Sequence, residues 1–196
     1  MSVAETDTSS GAAEPGWVGE VLRFWFEELR ADEWFAIDHH LDQGIRDRFL
    51  RLHEELVARD ACDAREVGTP RALLAAVIVL DQFPRNMFRD SPRAYAADPI
   101  ARRLARFAVD QGFDRSMTNH ERMFLYLPFE HSEDRADQAL SVELFGRLGN
   151  DEWKRYAVAH QEIIDRFGRF PHRNATLNRE STPAELARLQ EPLGQF

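Results

Sequence analysis

The chain has 196 residues and a mass of 22.7 kDa; it is 43% hydrophobic and 30% charged, with a formal net charge of −9. That length suits one domain with a sizeable core. So acidic a surface argues against nucleic-acid binding, which needs clustered cations to displace counterions, but it leaves room for a local basic pocket.

Residues 1–14 are Ser, Thr, Ala and acid, and read as a disordered tail ahead of a single all-helical domain over 15–196. Val21, Leu22, Trp25, Phe26 and Leu29 recur at spacings of three and four, one face of a helix. Leu41, Ile45, Phe49, Leu52 and Leu56 form a second stripe that starts near Asp38. Cys62 is the one cysteine, which excludes an internal disulfide and suits a reducing compartment. Thr69-Pro70 opens a helix, Thr as cap and Pro in the first turn. The run Leu73 to Leu80 is apolar on every side and should be the central buried helix. The longest apolar run is too short to span a bilayer, and Glu5 and Asp7 interrupt any leader-like start. The expectation is a cytoplasmic protein with no membrane partner.

Asp98-Pro99 begins the next helix, which stops at Gly112. Thr118-Asn119-His120-Glu121 is a capping-box pattern opening a helix through Leu127. Further helices are predicted from about Asp134 to Leu148 and from about Asp151 to Phe167, each ended by a glycine. Thr182-Pro183-Ala184-Glu185 opens a short last one. No segment alternates with period two, so the expected fold is all-α, about seven to nine helices arranged as stacked antiparallel hairpins.

Candidate chemistry gathers in three dense segments. Phe83-Pro84-Arg85-Asn86 recurs, with one residue inserted, as Phe170-Pro171-His172-Arg173-Asn174. Proline lacks an N–H and displaces the residue before it from helical geometry. Each copy is therefore predicted to be a helix exit presenting an Arg and an Asn, and the two corners could face one cleft. The third segment, Glu121 to Asp134, is an apolar helix, Pro128 and then a polar burst.

Within these segments Asp81 ends the buried helix and needs a cation or several donors. It either closes a structural ion pair with Arg85 or another Arg, or orients Arg85 to bind an anion beside the Asn86 amide. His131, flanked by Glu130, Ser132 and Glu133, could act as a general base whose tautomer an acid sets. Glu133 and Asp134 read more simply as caps of the next helix. His172, Arg173 and Asn174 suit a carboxylate or phosphate, with His172 a second acid/base candidate. Alternatively Arg173 staples the helices by pairing with Asp81 or Glu121.

Other chemistries lack their patterns. His131, His160 and His172 with Glu130, Glu133 or Asp165 could supply enough metal ligands, but no metal-ligand spacing is present and no metal is expected. There is no nucleophile elbow, Cys62 has no nearby His, and no Gly-rich phosphate loop occurs, so no cofactor is expected. Phe24-Trp25-Phe26 and Trp34-Phe35 are assigned to a helix's apolar face and hence to the core.

FWFEEL, WFAIDHHLDQGIRDRF, LDQFPRNMFR, ERMFLYLPFEHSED, SVELF and RFGRFPHRNATLNRESTPAE, taken in order, resemble the bacterial domain-of-unknown-function 924 family from about Val21 to Phe196. The resemblance implies a tetratricopeptide-like helical fold and implies no activity, so no catalytic residue is carried over from it. Ala61 to Gly68 departs from the Gly- and Trp-containing linker expected there. Two functional readings follow. One is a binding module whose groove holds a small anion or acidic peptide through Arg85, Asn86, Arg173 and Asn174, with Asp81 and Glu121 as supports. The other is an enzyme, hydrolase or isomerase in type, using His131 or His172 on an anionic metabolite. The bland alternative is that all these groups are mutually satisfied staples.

Overall fold

The computed structural model describes residues 14–59 and 67–191. The expected N-terminal tail, Cys62 and most of the Ala61 to Gly68 stretch lie outside the described residues. Every regular element among those described is helical.

Helix α1 (Gly16–Arg23) runs straight into a π turn (Phe24–Glu28). Helix α2 (His39–Ala58) is capped by Asp38, whose carboxylate accepts from the His40 and Leu41 N–H groups. Helix α3 (Pro70–Val77), a π turn (Ile78–Gln82) and α4 (Phe83–Met87) form one continuous rod. Then follow α5 (Asp98–Asp110), α6 (Asn119–Glu130), α7 (Arg135–Arg147), α8 (Asp151–Phe167) and the short α9 (Pro183–Arg188). With continuous stretches counted once, that is eight helical rods among the described residues, within the expected range.

Leu73 to Leu80 is fully buried, as its all-round apolarity requires. Helices α1, α5 and α6 pack on α3, and α2 packs on α4 and the π turn before it. Helices α6, α7 and α8 follow as consecutive packed neighbours. Aromatic rings join the first helices to the rod and to α6: Phe49 lies 4.8 Å from Phe83 of the rod, and Trp25 lies 5.3 Å edge-on from Phe124 of α6, centroid to centroid.

The structure corrects two of the expected helix exits. Pro84 does not end its helix, which continues to Met87. The reason is the π turn just before it. The Phe83 N–H donates to the Ile78 carbonyl, one residue further back than in an α-helix. The widened turn accommodates the pyrrolidine ring, which would otherwise meet the Leu80 carbonyl. Pro128 likewise lies inside α6, which runs on to Glu130. Only Pro171 follows a real stop: Gly168 takes the left-handed conformation (φ +70°), and Pro171–Arg173 is a 3₁₀ turn. The two Phe-Pro segments thus echo one another in sequence but not in shape.

A third correction concerns Trp34-Phe35. These residues stand in the turn between the first π turn and α2, not on a helix face. Trp34 is buried, its indole N–H donating to the Trp25 carbonyl at 2.8 Å, whereas Phe35 is 63% exposed.

Candidate functional site

Four parts of the chain meet at one place. The π turn and α4 bring Asp81, Gln82, Arg85 and Asn86; the approach to α5 brings Tyr95 and Asp98; the end of α6 brings Glu130 and His131; the 3₁₀ turn brings His172 and Arg173. The corner at the end of α6 is fixed by Gln138 of α7. Its side-chain amide donates to the carbonyls of Glu130 and Ser132, both at 2.7 Å, groups that a helix end leaves without partners.

Asp81 is the hub and is wholly buried. Both its oxygens lie 2.9 Å from His131 Nδ1, and Oδ2 accepts from the Gln82 amide at 2.6 Å. Arg85 Nη1 stands 3.4 Å from Oδ1 and also donates to the Asp81 carbonyl. Burial pushes the Asp81 pKa up, but the Arg85 charge and the hydrogen bonds from His131 and Gln82 more than reverse this and bring it to about 2. An ionised carboxylate only accepts, so Nδ1 of His131 carries the proton and Nε2 is left with a free lone pair. Burial, aided by the Arg85 charge, lowers the His131 pKa and favours this neutral ring.

Arg85 is satisfied twice over. Its Nη1 and Nη2 grip Asp98 as a fork, both at 3.0 Å, in addition to the contact with Asp81. Arg173 is different. It is 7% exposed, with its guanidinium 4.6 Å from the ring centroids of both Tyr95 and Phe170. Its nearest carboxylate among the described residues, Asp98, is 3.7 Å away, beyond hydrogen-bonding distance, and its buried Nε has no partner among them. Burial and the neighbouring Arg85 both disfavour its charge, yet a guanidinium stays protonated in proteins. Beside it, Nδ1 of His172 is buried and unpartnered as well; burial first, then the Arg173 charge, brings the His172 pKa down to about 3.

Gln82, Arg85, Tyr95, His131, His172 and Arg173 line a cleft of about 480 Å³. A second cleft, of about 610 Å³, has the apolar Met123, Leu127, Phe145 and Trp153 in its wall, together with the mostly exposed Glu152. Trp34, Phe35, His131 and His160 line both. Glu130 lines only the second; it is buried, its Oε2 lacks a partner, and burial followed by the Asp81 charge pushes its pKa up to about 8. His160, brought to about 3 by burial, donates from Nδ1 to the Tyr156 carbonyl at 2.9 Å. Its 3.4 Å approach to Glu130 therefore joins two neutral groups at pH 7.

Of the residues singled out from sequence, Asp81, Arg85, His131, His172 and Arg173 come together. Asn86 lines the polar cleft, but its amide donates to Asp42 at 2.9 Å, and the same carboxylate is gripped by Arg89. Asn174 and Glu121 line neither cleft. Asn174 is buried between Ser181 and Arg179, each at 3.0 Å. Glu121 completes the cap of α6, its Oε2 accepting from the Thr118 N–H at 2.7 Å, so it pairs with no cleft arginine. Glu121→Ala is expected to cost about 1 kcal/mol in a urea unfolding curve, with ligand response unchanged. Glu133 also corrects expectation: it forks with Arg179 at 2.7 and 2.9 Å, while Asp134 alone caps α7.

Sequence reasoning missed three contributors. Asp98 was read only as a helix start, Tyr95 carried no motif, and Phe35 was placed in the core. The SPRAYAADP stretch, with an aromatic and an acid just ahead of a helix, was the available signal.

Among the described residues, no three His, Cys, Asp or Glu side chains group so as to hold a metal ion, and no helix is long and apolar enough to cross a membrane. None of the curated proteins compared matches the chain significantly. A solved structure from Agrobacterium tumefaciens, of the protein of unknown function ATU0120, is similar: 39% identical, covering 89% of this chain and 97% of its own, with a TM-score of 0.82. The model of the family described as bacterial protein of unknown function, DUF924, matches residues 21–193, and the chain belongs to that family.

Proposed function

We propose that the polar cleft binds the anionic group of a small ligand, a carboxylate or a phosphate, with Arg173 as its main contact. The observation that carries this is a buried guanidinium held between two aromatic faces, whose Nε has no hydrogen-bond partner among the described residues. Leaving a buried cation's donors unused costs free energy that an incoming anion would recover. Arg85 adds a second positive charge already locked in place by Asp98. In this reading the helices stack as tetratricopeptide-like hairpins in one cytoplasmic domain, and an acidic peptide terminus is the other ligand the cleft would admit.

The Asp81–His131 pair favours a second, catalytic reading. An ionised acid holds Nδ1–H at 2.9 Å, so the free Nε2 lone pair could take a proton from a substrate anchored on Arg173. His172, also neutral, would be the alternative acid/base.

A thermal-shift screen with metabolite carboxylates, phosphates and short acidic peptides tests the proposal. A ligand at a hundred times its Kd should stabilise the protein by about 2.7 kcal/mol, roughly 5–10 °C for a chain this size. Arg173→Gln is expected to abolish the shift while melting within a few degrees of wild type. If no anion raises the melting point, or if Arg173→Gln responds like wild type, the proposal fails. A large fall in melting temperature of the variant alone would make Arg173 a staple.

A further inference from the structure

Resting on the anion reading, we infer that the ligand is an amphiphile: its anionic head lies on Arg173 and its hydrocarbon body fills the adjoining apolar cleft. The two clefts adjoin. Trp34, Phe35, His131 and His160 belong to the walls of both, so a molecule seated on Arg173 and extending past His131 enters the space walled by Met123, Leu127, Phe145 and Trp153. Each cleft has a volume typical of small-molecule sites, and together they separate charge from apolar surface as an amphiphile does.

Two further observations fit the same occupant. Phe35, at 63% exposure, and Ile37, at 78%, are large apolar side chains left to solvent on the turn that borders the polar cleft, and Phe35 borders the apolar one too. A hydrocarbon body beneath Phe35 would cover part of that surface. Glu130, the buried carboxyl in the apolar wall, is neutral at pH 7 and has an unpartnered Oε2. A hydrocarbon chain packed against it therefore does not have to desolvate an ionised carboxylate.

The test is isothermal calorimetry with straight-chain carboxylates from propanoate to decanoate, the matching alkyl phosphates, and decanol as a neutral control. Each methylene that enters an apolar site should tighten binding about three- to fourfold. Wild type is expected to show that rise, and the better of the two acid series identifies the head group. Trp153→Ala is expected to lose at least tenfold for decanoate while changing propanoate less than twofold. Arg173→Gln should weaken every acid. Phe35→Ser, at an exposed position, repeats the chain-length test should Trp153→Ala fail to fold. Short acids that bind through Arg173 with no gain from added methylenes would overturn the amphiphile and leave the anion reading standing. An unaltered chain-length slope in both cleft variants would place the chain elsewhere and also overturn it. Decanol binding as tightly as decanoate, or no binding of any acid, would overturn both.

Discussion

Asp81→Ala is expected to lower the unfolding free energy by about 3–5 kcal/mol, the usual cost of removing one partner from a buried charge network. For a chain of this size that is a fall of roughly 10 °C in melting temperature. The loss is large because Asp81 is the common acceptor for His131, Gln82 and Arg85. Arg85 keeps Asp98, but the His131 and Gln82 donors would be left facing a cavity. Asp81→Asn keeps the volume and an acceptor oxygen, so it should melt closer to wild type. It would nonetheless remove the charge that fixes the proton on Nδ1, which nitrogen-15 NMR of the His131 ring would report. The same carboxylate sets the acid limb of stability. Its folded pKa, about 2, lies below the ordinary 3.8. Its contribution, roughly 2 kcal/mol, is therefore present above pH 3.8 and is lost as pH falls through about 2. Between those values Asp81→Asn should show a shallower loss than wild type. Identical acid limbs in the two proteins would contradict the hub assignment.

Features that depend on neighbours in sequence were legible. Thr69, Thr118, Asp134 and Thr182 each cap the helix expected of them, and Gly149 and Gly168 both take positive φ after the helices they end. Leu73 to Leu80 is buried because no side of it is polar. The site was legible only where a residue type announced its need. Asp81 had to be paired, and Arg173 belonged to a cationic corner. Its geometry was not legible, because His131 and Asp81 are 50 residues apart and nothing local marks the pairing. The carboxylates adjacent to His131 were the plausible orienters from sequence, yet Glu133 turns to Arg179 and Glu130 to the apolar wall. Pro84 misled for a related reason. A π turn is a tertiary compromise, and with an α-helical turn the same tetrapeptide would have ended the rod. Asn174 and Glu121 show the reverse case, polar residues of the right type that nearby partners had already satisfied.

The other large effect concerns Glu130 and has the opposite sign to Asp81. Burial, and then the charge of Asp81, raise its pKa from 4.5 to about 8. A raised folded-state pKa means the stabilisation is complete below pH 4.5 and is lost as pH rises through about 8. Over that interval wild type should lose on the order of 4 kcal/mol from this one group. Glu130→Gln imitates the neutral acid in shape and cannot ionise, so it should escape the loss. The two proteins are expected to melt together at pH 4.5 and to separate as pH rises, with the variant higher by roughly 10 °C at pH 8. The source of the shift is testable in the same scan. After burial, the Asp81 charge is what raises the Glu130 pKa, so in an Asp81→Asn background the separation should begin at the same pH but level off sooner and stay smaller, because without that negative charge Glu130 ionises at a lower pH in the folded state. Melting curves of Glu130→Gln and wild type that stay parallel from pH 4.5 to 8 would show that Glu130 is ionised in the folded protein. A buried charge would then stand in the wall of the apolar cleft, and a hydrocarbon body would be the wrong occupant beside it.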